Sequence, residues 1–87
     1  MTSVTEVFTT VVMTYNLWGG FKLAARRSAL RAFFTTRSPD LLTVQELRPR
    51  SRKLIDQALP GHERVHDDFP GWSEQGNIWW DRGLYRL

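Results

Sequence analysis

Asn16, in TYNLW, and Glu46, in TVQEL, are the polar residues best placed for chemistry, because each closes a run of strand-forming residues. If the two runs are parallel neighbours in a sheet, both side chains emerge at one carboxyl edge, where open α/β sheets bind their ligands. Magnesium prefers hard oxygen ligands, usually one or two carboxylates with retained waters and phosphate oxygens. A carboxylate beside an amide oxygen can hold such an ion against a phosphoryl group and neutralise charge developing there. The same residues admit a structural reading, since asparagine before glycines suits a turn and a glutamate at a strand end suits a helix cap or a solvated corner.

Placing these two residues together requires a particular run of elements. Val7 to Leu17 is rich in β-branched and aromatic residues, with a continuous apolar centre at Val11, Val12 and Met13 that predicts a strand covered on both faces. Gly19 and Gly20 break it, and a helix is expected from about Lys22 to Thr36. Ala25, Ala29, Leu30, Phe33 and Phe34 would share its apolar side, with Arg26, Arg27 and Arg31 on the rest. Ser38-Pro39-Asp40 signals a turn before a second strand, Leu41 to Gln45, which ends on Glu46.

Arg48-Pro49-Arg50-Ser51 then leads into SRKLIDQAL, where Leu54, Ile55, Ala58 and Leu59 recur at helical spacing until Pro60-Gly61 stops the run. Beyond it, HERVH at 62 to 66, NIWWD at 77 to 81 and a last segment at Leu84 to Leu87 read as strands, and DDFPGWSEQG as a turn-rich connection. The order predicts an α/β layered domain whose pairing begins parallel and turns antiparallel.

Bulk properties bound this reading. Eighty-seven residues allow one small domain or part of a larger one, since domains commonly run to about 100 to 200 residues. With no cysteine and only His62 and His66, the usual staples of small folds, disulfides and thiolate zinc sites, are excluded. Hydrophobic content of 41% and aromatic content of 13% exclude the composition of a disordered chain. The net charge of +3 is compatible with a phosphate-rich partner, but a basic solvated surface is the reading it favours. The first ten residues lack lysine and arginine, and no apolar run approaches the ~20 residues of a membrane span. The chain therefore reads as cytoplasmic, without a transmembrane segment.

The segments VMTYNLWGG and PDLLTVQEL, separated by a helix, closely resemble the first two motifs of the endonuclease/exonuclease/phosphatase superfamily, and GNIWWD resembles the stretch leading into its next core strands. The resemblance covers roughly residues 10 to 87. It implies a partial layered α/β sandwich of the DNase I-like type, Mg²⁺ or Mn²⁺ as cofactor, and phosphoester substrates, nucleic acid among them. It also implies an active-site position for Asn16 and metal ligation by Glu46 with Asn16 close by. The family's mid-domain Asp-x-Asn motif and its late Asp and His have no counterpart in this sequence. Residues 1 to 87 are thus expected to be the amino-terminal part of such a domain, lacking the later catalytic part and inactive alone.

Two other readings stand beside this one. Trp18, Trp72, Trp79 and Trp80 with Arg48, Arg50, Arg52 and Lys53 could form a small basic nucleic-acid-binding module, although structural roles suit most of these residues. A remnant without independent activity would expose a sheet edge and self-associate through it. A His66-Asp67 dyad is not favoured as a general base, because adjacent residues in an extended segment face opposite ways.

Overall fold

The computed structural model describes residues 9–85. The elements run β1 (Val12–Asn16), α1 (Leu23–Arg37), β2 (Leu41–Gln45), α2 (Pro49–Ala58), β3 (His62–Arg64), α3 (Gly71–Glu74) and β4 (Gly76–Asp81). They form one four-stranded sheet in the order β1-β2-β4-β3. β1 and β2 are parallel, whereas β4 runs antiparallel to both β2 and β3. The expected change from parallel to antiparallel pairing is therefore present. β4 enters between β2 and β3, an arrangement that no local signal specifies.

Strict alternation along the strands divides the sheet into two faces. Met13 and Tyr15 of β1, Leu42 and Val44 of β2, and Asn77 and Trp79 of β4 lie on the face that α1 and α2 cover, as the register requires. Leu30 and Phe34 from α1, and Leu54, Ile55 and Ala58 from α2, meet them in the core. The Tyr15 ring lies 5.6 Å from Phe33 and 5.4 Å from Phe34, centre to centre. Each buried large side chain of this kind contributes about 1.5–3 kcal/mol by leaving water.

The helical pattern of SRKLIDQAL is realised fully, with Leu54, Ile55, Ala58 and Leu59 all buried. Pro49 opens α2, a position where a missing N–H costs nothing. Ser51 closes the first turn: its Oγ accepts from the Arg48 N–H and donates to the Arg48 carbonyl, both at 3.0 Å. In α1 the apolar side is narrower than expected. Leu30 and Phe34 are buried and Leu23 and Phe33 half-buried, but Ala25 and Ala29 are exposed because the buried stripe runs through the larger side chains.

Four other expectations are corrected. β1 begins at Val12, with Val7 and Phe8 lying outside the described residues, and it is covered on one face only: Val12 is 63% exposed on the other. β3 stops at Arg64 rather than reaching His66. The connection after it contains a one-turn helix, α3. Leu84 sits in a turn instead of a strand, and Arg86 and Leu87 lie outside the described residues.

Trp79 and Trp80 point to opposite faces, yet both are buried. The connection into β4 requires glycine at Gly76, where a Cβ would sit 2.7 Å from the Val44 carbonyl oxygen. Among the described residues no strand pairs with the outer side of β1, and no helix is long and apolar enough to cross a membrane.

Candidate active site at the carboxyl edge of β1 and β2

Parallel pairing of β1 with β2 sets Asn16 opposite Gln45, one residue from Glu46. The edge is held by backbone bonds that continue past the strand ends: Leu17 N–H donates to the Gln45 carbonyl at 3.0 Å, and Gly19 N–H to the Glu46 carbonyl at 3.1 Å. The convergence expected from two parallel strand ends is thus realised in the backbone. Thr14 and Gln45 reinforce it, the Gln45 Nε2 donating to Thr14 Oγ1 at 3.0 Å across the open face.

Backbone conformation at this edge is unusual in a way that the sequence did not announce. Trp18 and Glu46 adopt left-handed φ values of 60° and 54°, and Gly19, between them in the hydrogen-bonded corner, has 58°. A non-glycine residue there carries a steric cost, and such strain concentrates at functional edges. At Glu46 the local reason is visible. Unbroken alternation would send Glu46 to the helix side after Val44 and turn Leu47 out. The left-handed turn instead exposes Glu46 and buries Leu47 completely. A carboxylate at the edge and a leucine in the core are obtained from one backbone corner.

The side chains differ in how far they are engaged. Asn16 Oδ1 accepts the Trp18 N–H at 2.8 Å, which is the turn role foreseen for an asparagine before glycines. An amide oxygen has a second lone pair, so this bond leaves one acceptor site. Glu46 is exposed and makes no ion pair among the described residues. An exposed carboxylate at the end of β2 and an amide oxygen at the end of the neighbouring β1 are donors of the kind a hard divalent cation takes while keeping most of its waters. No group of three or more His, Asp or Glu converges among the described residues. The donors present therefore fit a partial site and not an all-protein cage.

Arg26 positions the loop that carries Trp18 and the glycines. Its Nε and Nη2 donate to the Phe21 carbonyl at 3.0 and 2.6 Å, and Nη2 donates to the Leu17 carbonyl at 3.0 Å. Composition assigns it to a solvated helix face; only its half-buried place beneath the loop reveals the clamp. Arg48 supports the other side of the corner, donating from Nη1 to the Leu47 and Glu74 carbonyls at 2.9 and 2.8 Å. Beside the edge, on the open face, a hollow of about 340 Å³ lies over Thr43, Gly76 and Ile78 against Phe69 and Trp72.

The remaining polar residues serve the fold. Asn77 is 2% exposed and uses both ends of its amide, accepting from the Val65 and Ile78 N–H groups and donating to the Val65 and Trp72 carbonyls. Asp56 accepts from Arg64 at 2.9 Å and from the Trp79 indole at 3.0 Å, joining α2, β3 and β4. His62 donates Nε2–H to the Pro39 carbonyl at 2.6 Å. His66 pairs with Glu63 at 2.6 Å while Asp67 accepts the Phe69 N–H, so His66 and Asp67 form no dyad. The Glu63 carboxyl is held below its usual range chiefly by the Arg64 backbone N–H and then by His66.

Of the four tryptophans, only Trp18 is exposed; Trp72 is half-buried, and Trp79 and Trp80 are buried.

Comparison with known proteins agrees with this architecture. The profile of the Endonuclease/Exonuclease/phosphatase family matches residues 13–85. A crystal structure of a humanized D. rerio TDP2 carrying 14 mutations superposes with a TM-score of 0.66 at 17% identity over 85% of this chain. The endonuclease/exonuclease/phosphatase from Bacteroides vulgatus gives 0.64 at 15% identity over 80%. The chain spans about 30% of the length of either structure. No curated protein matches the sequence.

Proposed function

The chain belongs to the endonuclease/exonuclease/phosphatase family, and on that premise we propose that it is the metal-binding part of a phosphoester hydrolase. Glu46 is the ligand for Mg²⁺ or Mn²⁺, and Asn16 completes the edge at which the substrate phosphate is received. The observation that carries this reading is the uncommitted Glu46 carboxylate, turned out at a left-handed corner beside Asn16. A bound divalent ion supplies charge neutralisation at a phosphoryl oxygen. The residues of this chain do the rest of the positioning. Asn16 holds its corner through the Trp18 N–H, and Arg26 keeps the loop closed over the start of α1.

Turnover by these 87 residues alone is not expected on this reading, because the family's Asp-x-Asn motif and its late Asp and His have no counterpart among them. The sheet edge at β1 is proposed as the route of any self-association.

Mn²⁺ titration followed by NMR tests the assignment without requiring activity. Paramagnetic broadening should centre on Asn16, Glu46 and Leu47 in the unaltered chain and vanish there in Glu46→Gln. Glu74→Gln, another exposed carboxylate, should leave it intact. Broadening that persists in Glu46→Gln removes Glu46 as the ligand.

A further inference from the structure

The charges of the chain are segregated. From Lys22 to Ala58, the span of both long helices, nine basic residues outnumber three acidic ones, whereas from Leu59 to Tyr85 five acidic residues outnumber two basic ones. α1 contains no acidic residue, and the only one in α2, Asp56, is taken by Arg64 and Trp79. Between the helices, two adjoining hollows of about 550 and 200 Å³ form a groove whose walls include Lys22, Arg27, Arg50 and Lys53 and no acidic residue. None of these four makes an ion pair among the described residues. A molecule polarised in this way turns its helices toward an anionic surface.

The same side carries apolar groups that the fold does not use. Trp18 and Phe21, in the loop before α1, are 63% and 58% exposed. Gly20 and Lys22 of that loop line the larger hollow together with Leu23, Ala24 and Pro49. The two rings lean on each other, centres 6.3 Å apart and planes inclined by 40°, and Lys22 Nζ lies over the Phe21 ring at 5.5 Å. With an ammonium over one ring and the other ring set aslant, the pair forms a wedge and not a flat stacking platform. A planar partner needs an open ring face, but a wedge needs only an apolar medium. Aromatic tips flanked by cations suit a membrane interface, where rings sink to the headgroup–acyl boundary and long basic side chains snorkel back to the headgroups.

We propose that the helix side of the chain docks peripherally on an anionic phospholipid bilayer. Trp18 and Phe21 enter the headgroup–acyl boundary, and Lys22, Arg27, Arg50 and Lys53 meet the anionic headgroups. This goes beyond the phosphoester reading and does not rest on it, since docking involves neither a divalent ion nor a reaction.

The test is co-sedimentation of the full chain, in EDTA, with phosphatidylcholine vesicles made with and without phosphatidylserine. Binding should require phosphatidylserine and weaken as salt screens it. Trp18 is the exposed tryptophan, so emission should shift to the blue on binding; Trp18→Phe should keep the affinity and abolish the shift. Arg50→Ala/Lys53→Ala should weaken binding about 25-fold, at roughly fivefold for each basic residue near the surface. Phe21→Ala should cost about tenfold, with Trp18→Ala as the parallel variant should the first fail to fold by circular dichroism. Arg37→Ala, which removes a charge roughly 15 Å along α1 from Arg27 and so beyond a Debye length, should stay within about twofold.

Absence of binding at low salt overturns the proposal. So does equal loss in Arg37→Ala. Binding without a blue shift, or affinity unchanged in both Phe21→Ala and Trp18→Ala, also overturns it, by making the contact purely electrostatic. Poly-glutamate or an oligothymidylate that binds as tightly, anion for anion, as the phosphatidylserine vesicles would instead return the face to an acidic protein or a nucleic acid, and the proposal would be lost. Because EDTA removes divalent ions, a failed Glu46 assignment leaves this result untouched, and failed docking leaves the Mn²⁺ titration untouched.

Discussion

Asn77 of β4 and Asp56 of α2, which ties that helix to β3 and β4, carry the same functional groups as Asn16 and Glu46, at the end of β1 and β2, but in opposite states. Asn77 is buried and makes four hydrogen bonds, and Asp56 is shared by a guanidinium and an indole. Asn16 makes one bond, to the backbone two residues on, and Glu46 projects from a left-handed corner. An amide or carboxylate whose partners all come from the protein cannot take a ligand without breaking the fold. One left with open lone pairs contributes little to stability and can. Left-handed Trp18 and Glu46 both lie on the unspent side, and the other two left-handed non-glycine residues among those described, Lys22 and Ser38, cap the ends of α1.

That contrast breaks most clearly if the two asparagines are truncated in parallel. Asn77→Ala should destabilise by about 3 kcal/mol or more, since it strands several buried donors and acceptors at once. Asn16→Ala should stay within about 0.5 kcal/mol, as exposed substitutions usually do. Comparable shifts in the urea midpoint for the two would dissolve the distinction.

The carboxylates sharpen it at intermediate size. Asp56→Ala should cost about 1–3 kcal/mol, reduced from a fully buried pair because the carboxylate is partly open to water. Glu46→Gly should raise stability by no more than about 1 kcal/mol, by relieving the left-handed backbone against the added chain entropy of glycine. It should abolish Mn²⁺ broadening at the same time. A loss of stability in Glu46→Gly would show that the carboxylate serves the fold after all.

The smallest effect concerns Glu63, whose carboxyl is held low by the Arg64 N–H and His66. A carboxyl with a depressed folded pKa adds stability that is present above its ordinary range and is lost as pH falls through the folded value. Glu63→Gln should therefore flatten the acid limb of the stability profile slightly and change nothing at neutral pH beyond the lost hydrogen bond. An unaltered acid limb, measured as urea midpoint against pH, counts against the pairing.

Much of the frame was legible because it rests on neighbours in sequence. β2 spans Leu41–Gln45 as its composition predicts, and α2 with its C-cap Leu59 buries the four apolar residues that the spacing selects. α3 escaped notice because a single turn in DDFPGWSEQG has too few residues for a period to show. Arg26 escaped because a clamp on carbonyls depends on where a loop returns, and charge alone carries no trace of that. The basic groove was visible only in part: Arg48, Arg50 and Lys53 cluster in sequence, but Lys22 and Arg27 join them through the packing of α1 on α2.

Sequence by itself determined β2 and the two long helices, the family motifs, and the position of Asn16 and Glu46 at strand ends. These follow from side-chain periodicity and turn chemistry, which act over a few residues. Tertiary structure decided which polar groups are consumed and which remain free. Asp56 meets Trp79 across 23 positions, and Gln45 meets Thr14 across 31. Partners so far apart are chosen by strand order and helix packing, and β4 reaches its place between β2 and β3 only when the whole sheet closes on its core.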